Sequence, residues 1–342
     1  MKKFIVLLLL WVLIGCKKDE PKPNNNNDRP DEIGQIVAFR EAQFATDLEI
    51  YQNRYAIVAH KTRGISIFDI SKPKEPTLVK NFAAGDARQI FVDGNRLYVA
   101  GYDQGYFIFD LSNISNPTQI HSSNNFFPSA ITTNANYYFL GGGDGGPNGV
   151  IQIRNKTDNS LVATIINSTN AESQRGFRSL CVSGNFLYGG TNGGHLKIYN
   201  ISNPNSPQLV STYYNPGTPG HAPWMLGIKI YGNIAYLSNW GAGFIALDVS
   251  NPSSPVERGI IASELGTDKA NCYDAVVLGN TAYIANGWGG LSVVDVSNVA
   301  NMKYKFEVNE SNHTYHAVEV VGDYAYVVDN GLNQGLRVIK VK

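Results

Sequence analysis

Residues 64 to 76 read Gly64-Ile-Ser-Ile-Phe-Asp69-Ile-Ser71-Lys-Pro73-Lys-Glu-Pro76, and residues 243 to 255 read Gly243-Phe-Ile-Ala-Leu-Asp248-Val-Ser250-Asn-Pro252-Ser-Ser-Pro255. Both stretches belong to a unit that recurs every 41 to 48 residues along the chain. The unit holds four short apolar runs of strand character, separated by turns and glycines. A period of about 40 to 50 residues with four strands is typical of β-propeller blades. The sequence therefore predicts an all-β propeller.

The number of blades follows from the last repeat, which stops after its third strand at Lys342. Residues 33–39, near the other end of the chain, resemble the outer strands of the full repeats. A ring left open would expose unpaired strand edges. We therefore expect seven blades over residues 33–342, with the N-terminal strand completing the last one. The repeats start near Asp47, Arg88, Ser129, Arg178, Leu226, Tyr273 and His316, and the third is degenerate.

The acidic residues that recur in the unit have a structural explanation. Asp69, Asp110, Asp248 and Asp295 each precede a serine at a turn, where a short side-chain oxygen can accept a backbone N–H. Acids that occur once per blade lie on different sheets and cannot converge on one metal ion. These residues therefore predict turn geometry and no metal site.

The third strand of the repeat reads Leu291-Ser-Val-Val-Asp295 and Leu336-Arg-Val-Ile-Lys340. This pattern resembles the LVIVD repeat over roughly residues 40–342. The resemblance implies a secreted or surface-anchored propeller with a binding or adhesive role, and it supplies no catalytic motif. Repeats three and six depart from the pattern because they lack the prolines, and Lys340 replaces the terminal Asp.

The N-terminus has the features of an export signal. Lys2 and Lys3 precede an apolar run, Phe4 to Ile14, which is too short to span a bilayer because spanning needs about 20 residues. The run ends in Leu13-Ile-Gly-Cys16, which resembles a bacterial lipobox. We therefore expect a lipoprotein signal peptide over residues 1–15 and lipid on Cys16.

The segment that follows Cys16 predicts display at the cell surface. Lys17-Lys-Asp-Glu20 resembles the signal that directs lipoproteins of the Bacteroidetes to the outer face of the outer membrane. Residues 21–31 hold no apolar side chain, so they cannot bury enough surface to offset the entropy of ordering. Residues 16–32 are therefore predicted to be a flexible tether.

The net charge of the chain restricts the classes of binding partner. The chain has 28 basic and 28 acidic residues, so its formal net charge is zero. A balanced charge gives no footprint for nucleic acid and no polybasic patch for a membrane. No phosphate-binding loop or nucleophile motif is present, and we expect no cofactor.

Candidate functional residues fall in loops that share one face of the predicted propeller. Three interpretations are open: ordinary enrichment of polar residues in loops, a ligand site, or a metal or catalytic centre. A ligand site would use aromatic faces with a few polar partners, as suits a protein or glycan. Its candidate residues are Trp224, Trp240, Trp288, Arg178, Tyr273, Asp274 and His316. A metal centre would use His221, His313 and His316.

The sequence thus predicts a surface lipoprotein that binds or adheres to a protein or glycan. The alternative is an exported propeller enzyme with a metal or acid/base site over the central channel.

The lipid anchor gives the first testable prediction. Cys16→Ser removes the thiol that would carry the lipid, so the variant should appear in the soluble fraction or keep an uncleaved signal. Fatty-acid labelling and membrane fractionation measure the outcome, with Cys181→Ser as the control. A Cys16→Ser protein that still takes up labelled fatty acid would contradict the assignment.

Overall fold

The computed structural model describes residues 33–143, 148–167, 176–217, 221–262, 271–309, 312–331 and 334–342. Within these ranges, 28 strands form seven four-stranded antiparallel sheets. The predicted signal peptide (1–15), Cys16 and the tether (16–32) lie outside the described residues. No helix in the described part is long and apolar enough to cross a membrane.

The first four sheets follow the predicted repeats in order and are called blades 1 to 4. Strand β1 (Ile36–Glu41) precedes them. Their strands are β2 (Ala45–Tyr51), β3 (Tyr55–His60), β4 (Gly64–Asp69), β5 (Thr77–Phe82); β6 (Gln89–Asp93), β7 (Arg96–Ala100), β8 (Tyr106–Asp110), β9 (Thr118–Ser123); β10 (Pro128–Thr133), β11 (Tyr137–Gly143), β12 (Gly149–Asn155), β13 (Leu161–Asn167); and β14 (Phe177–Ser183), β15 (Phe186–Thr191), β16 (His195–Asn200), β17 (Gln208–Tyr214).

Blades 5 to 7 complete the chain, and two short 3₁₀ helices interrupt it at Tyr102–Gln104 and Val299–Asn301. The remaining strands are β18 (Met225–Tyr231), β19 (Ile234–Asn239), β20 (Gly243–Asp248), β21 (Val256–Ala262); β22 (Asp274–Leu278), β23 (Thr281–Ala285), β24 (Leu291–Asp295), β25 (Lys303–Val308); and β26 (Tyr315–Val321), β27 (Tyr324–Asp329), β28 (Gly335–Lys340).

The ring is closed in the predicted way, because β1 pairs with β28 as the fourth strand of blade 7. The inner strand of each blade contacts the inner strand of the next, and β26 contacts β2. β1 also repeats a detail of the other outer strands, which bulge by one residue opposite the third strand. The bulge at Val37 falls where Val79 bulges in β5. β1 is therefore a full structural equivalent of the other outer strands.

The hydrophobic core is divided into seven clusters, each shared by two neighbouring blades. Ile57 of blade 1 packs with Leu97 of blade 2, for example, and Val58 on the other face of the same strand packs with Val328 of blade 7. Both faces of the middle strands are buried, so β3 and β19 carry consecutive apolar residues at 56–59 and 234–237. The outer strands have one solvent-facing side.

Side chains of the inner strands also link neighbouring blades around the channel. The N–H of Ile90 donates to Asp47 (2.8 Å) and the N–H of Ile131 donates to Gln89 (2.8 Å). Asp274 accepts from the N–H of Val318 in the same way (3.2 Å). The three acceptors hold equivalent positions in blades 1, 2 and 6, and each bond ties one blade to the next.

The turn chemistry expected of the repeated acids is confirmed. The N–H of Ser71, two residues after Asp69, donates to its carboxylate, and the same bond recurs at Asp110, Asp248 and Asp295. Gly64, which opens β4, has φ +82°, and a Cβ there would lie 2.3 Å from the Phe82 carbonyl oxygen. Both features are therefore requirements of the scaffold.

Cys181 and Cys272 do not pair in a disulfide. Cys181 is half-buried in β14 and Cys272 is buried just before β22, and both are free thiols. They lie in different blades, 4 and 6.

The closing strand gives the second prediction. A protein that starts at residue 45 should melt roughly 10 °C or more below one that starts at residue 33, because it loses the β1–β28 ladder and the packing of Val37 and Ala38. Differential scanning calorimetry measures the two temperatures. Equal melting temperatures would mean that β1 does not stabilise the ring.

Candidate ligand site at the channel mouth

The face on which the inner strands begin, called the upper face here, is shaped by β-bulges. The register of five inner strands shifts around their second residue, which is left out of the regular ladder. A bulge re-aims the side chain that it carries. These residues are Thr46, Ser129, Arg178, Leu226 and His316; Arg88 and Tyr273 directly precede the inner strands of blades 2 and 6.

We call these seven residues the mouth ring. All seven line one cavity of about 380 Å³, together with Trp224, Lys61 and residues deeper in the channel. Because every blade contributes a residue, the cavity lies where the seven inner strands meet. A cavity of this volume is in the range of small-ligand sites.

Five of the seven ligand-site candidates from the sequence line this cavity. The two others, Trp240 and Trp288, have similar glycine-flanked sequences but different surroundings. Trp240 is half-buried and stacks on Trp224, whereas Trp288 is 61% exposed and does not line the cavity. The five lining residues are Arg178, Trp224, Tyr273, Asp274 and His316.

Two aromatic stacks stand side by side at the mouth, in blades 5 to 7. The rings of Tyr273 and His316 are 4.3 Å apart and within 10° of parallel. The rings of Trp224 and Trp240 are 5.1 Å apart at 25°. Burial lowers the pKa of His316 to about 4, and the positive charge of Lys61 adds to the effect. His316 is therefore neutral near pH 7, and both stacks are uncharged platforms.

The guanidinium groups at the mouth have different surroundings. Arg88 pairs with both carboxylate oxygens of Asp86, at 3.1 and 2.8 Å, and lies over the ring of Tyr102. Arg178 donates from Nε to the side-chain oxygen of Asn192 (2.6 Å), which is neutral. Burial and the nearby Arg88 lower the pKa of Arg178.

Below the mouth ring lies a cluster of ionisable side chains, which the sequence analysis did not single out except for Asp274. Lys229 is 3.6 Å from Glu319. Burial opposes the charge on Lys229, but Glu319, Asp274 and Glu49 together raise its pKa. The signal was present in the sequence as charged residues inside inner strands that are otherwise apolar.

The carboxyl groups of this cluster hold their protons more tightly than free ones. Burial and the neighbouring Asp274 raise the pKa of Asp47 to about 7. Burial is also the main cause of the raised pKa values of Glu49, Asp274 and Glu319. The part of the channel below the mouth therefore carries less negative charge than its composition indicates.

The three histidines considered for a metal have separate surroundings. His313 is buried and forms hydrogen bonds with Asp329 and Arg337. The ring centre of His221 lies 5.5 Å from that of Trp240. His316 belongs to the stack with Tyr273. Among the described residues, no three histidine, cysteine or acidic side chains form a group that could hold a metal ion.

The upper face also exposes large aromatic side chains around the mouth. They precede inner strands or lie between second and third strands, and the sequence analysis did not identify most of them as candidates. They are Phe44, Tyr102, Phe127 and Trp288.

Asp47 gives the third prediction. In the folded protein Asp47 binds its proton more tightly than in the unfolded chain, where the pKa of an aspartate is near 3.8. Protonation of Asp47 therefore stabilises the fold fully below pH 3.8, and this stabilisation is lost as the pH rises through 7. In Asp47→Asn the amide oxygen can still accept from Ile90, as Gln89 does from Ile131. The variant should therefore gain roughly 3–8 °C in Tm relative to the wild type between pH 4 and pH 8.

Thermal unfolding at a series of pH values measures this difference. Asp110→Asn is the control: Ser112 lowers the pKa of Asp110 below 3.8, so this carboxylate stays ionised throughout the range and the difference in Tm from the wild type should not change with pH. A constant difference between Asp47→Asn and the wild type across this range would contradict the raised pKa.

Comparison with solved structures identifies the fold. The computationally designed Ika8 protein has a TM-score of 0.61 and 11% identity, with 89% of this chain and 99% of that chain covered. Raptor from Chaetomium thermophilum has a TM-score of 0.65 and 10% identity, with 90% of this chain and 29% of that chain covered. Identities this low show the fold alone. The comparison with curated proteins gave no match.

The repeat sequence itself is more informative. The LVIVD repeat matches residues 44–83, 84–124, 175–215, 225–262, 271–310 and 316–339. These segments correspond to blades 1, 2, 4, 5, 6 and 7 and cover well over half of the chain. Blade 3 falls between two of them, in agreement with its degenerate sequence. The chain belongs to the LVIVD repeat family.

Proposed function

We propose that the protein is a glycan-binding module, anchored by lipid on Cys16 and displayed on the outer face of the outer membrane. The observation that carries the binding function is the cavity at the channel mouth, which is flanked by two uncharged aromatic stacks. Sugar rings pack their apolar faces on aromatic side chains, and their hydroxyl groups need fixed polar partners. Tyr273, His316 and Trp224 supply the first requirement, and Thr46, Ser129 and Gln89 supply the second.

The backbone around the channel favours a glycan over an extended peptide. A peptide that adds to a sheet needs a strand with unpaired N–H and C=O groups. The inner strands are paired on one side with the second strands, and side chains of the neighbouring blade bond to their other side. Thr46, for example, donates to the Ala87 carbonyl, and Ser129 donates to the Phe177 carbonyl. The mouth therefore offers side chains and few free backbone groups.

Adhesion to a protein is the second candidate, favoured by the exposed aromatic residues Phe44, Tyr102, Phe127 and Trp288. Large exposed aromatics at the centre of an interface often contribute most of the binding energy. In that case Trp288, which lies outside the cavity, should matter more than Trp224.

An enzyme is favoured by one observation, the carboxyl groups with raised pKa below the mouth. Asp47 and Asp274 each accept a backbone N–H of the next blade, and Glu319 is close to Lys229. These contacts give the three acids a role in joining the blades. Glu49 is the acid in the cavity that would be a candidate proton donor.

The fourth prediction tests the binding function. Purified full-length protein in detergent should retain a subset of glycans on an array, and Trp224→Ala should weaken the best of them by about tenfold or more, because a cavity-lining ring is lost. Isothermal titration calorimetry measures the affinity. Leu209→Ala, a truncation on the exposed side of an outer strand, is the control.

Three outcomes distinguish the candidates. Loss of glycan binding in Trp224→Ala but not in Trp288→Ala supports the glycan site. An array without any retained glycan contradicts it. Shortened glycans in the reaction, lost on Glu49→Gln, would make the protein an enzyme.

A further inference from the structure

Arg178 is a half-buried cation whose positive charge has no acidic partner among the described residues. Its Nε donates to Asn192, and the N–H groups at the end of the guanidinium are left for another acceptor. A guanidinium can donate five hydrogen bonds in a planar fork that matches a carboxylate. A charge taken out of water without a counter-charge is costly, and such groups mark binding sites for ligands of opposite charge.

Other arginines of the chain show the contrast. Arg54, on an exposed turn, and Arg258, in the outer strand β21, each pair with the carboxylate of the repeat, Asp69 and Asp248 respectively. Arg337 is buried, and it pairs with Asp329. Arg178 is half-buried as well, but its guanidinium lines the cavity and has no carboxylate partner among the described residues.

Among the described residues that line the cavity, Arg178 and Lys61 are the cations without an acidic partner, and of the two only Arg178 carries a planar fork of donors. Arg88 is already paired with Asp86, although Lys61 adds positive charge on the opposite side. Asp47, Asp274 and Glu49 line the cavity too, but they lie further along the inner strands than the mouth ring. Asp47 and Asp274 accept backbone N–H groups there, so their carboxyl groups are used in joining blades.

The other side chains that line the cavity with Arg178 select among anions. The mouth ring continues to hydroxyl groups at Ser129 and Thr46 and to the flat stack of Tyr273 on His316. A hexuronate has one carboxylate, several hydroxyl groups and a ring with an apolar face. Its three features match a guanidinium, neutral hydroxyl side chains and an aromatic platform.

We propose that the channel mouth binds an acidic glycan, with a hexuronate carboxylate accepting hydrogen bonds from Arg178 and the sugar ring lying on the Tyr273–His316 stack. This inference rests on the proposed glycan-binding function and specifies its ligand class. The carboxylate replaces solvent at the guanidinium, so no counter-charge from the protein is required.

The experiment compares one oligosaccharide in two forms. Full-length protein is titrated with an oligogalacturonate and with the same oligosaccharide whose carboxyl groups have been reduced to hydroxymethyl groups. The acidic form should bind roughly 10- to 100-fold more tightly. Arg178→Gln should abolish that preference, so that the variant binds the two forms with similar affinity. Arg178→Lys should restore part of the preference.

Folding of the variant is measured separately. Removal of an unpaired, partly buried charge should leave the melting temperature of Arg178→Gln equal to or above that of the wild type. Arg54→Gln, which removes an exposed cation on the opposite face, is the matched control and should keep the full preference for the acidic form.

Each outcome decides between the proposals. Equal binding of the two forms, with both lost in Trp224→Ala, overturns the acidic ligand but keeps the glycan site. A preference for the acidic form that survives Arg178→Gln also overturns this inference. Binding of peptides with a free C-terminal carboxylate, lost in Arg178→Gln, in the absence of glycan binding contradicts both proposals.

Discussion

Packing between neighbouring blades is the interaction on which this structure depends. All seven hydrophobic clusters are shared by two blades, so a single four-stranded sheet would expose both faces of its middle strands. No blade can satisfy its apolar surface unless it has a neighbour on each side, and only a closed ring gives every blade two neighbours. This explains why the N-terminal segment reproduces an outer strand down to the bulge at Val37. The sheet that contains both described ends of the chain has to be as complete as the others.

Closure brings the seven inner strands to one axis and so concentrates polar groups there. Asp47, Gln89 and Asp274 use this proximity to bond to the backbone of the next blade. Gln89 does so without a charge, which means that the link between blades does not by itself require an acid. The acids at the other two positions are buried, which is the main cause of their raised pKa values, and the charge of Asp274 adds to the effect at Asp47. An amide side chain could therefore join the blades at these two positions, and the link itself does not need the ionisable groups that the channel carries.

The sequence predicts the scaffold well because each repeat carries the same local information. The glycine before β4 and the Asp at its end need only their immediate neighbours, and their turn geometry follows as expected. The site is harder to predict because its residues come from seven repeats and meet only at the axis. Trp240 and Trp288 look equivalent in sequence, but Trp240 stacks on Trp224, whereas Trp288 is exposed and has no stacking partner among the described residues. Arg178 was recognisable as polar, whereas its lack of an acidic partner depends on the fold.

The mouth ring shows how a repeated scaffold can hold an irregular site. Its members are Thr46, Arg88, Ser129, Arg178, Leu226, Tyr273 and His316, which are chemically unlike one another, although the strands that follow them are nearly interchangeable. In five of them a bulge removes the residue from the regular ladder, so its side chain is not constrained by cross-strand packing. A substitution at such a position changes the cavity and costs the ring little. Recognition can therefore vary at the mouth while the packing between blades, which needs the same residue types in every repeat, stays fixed.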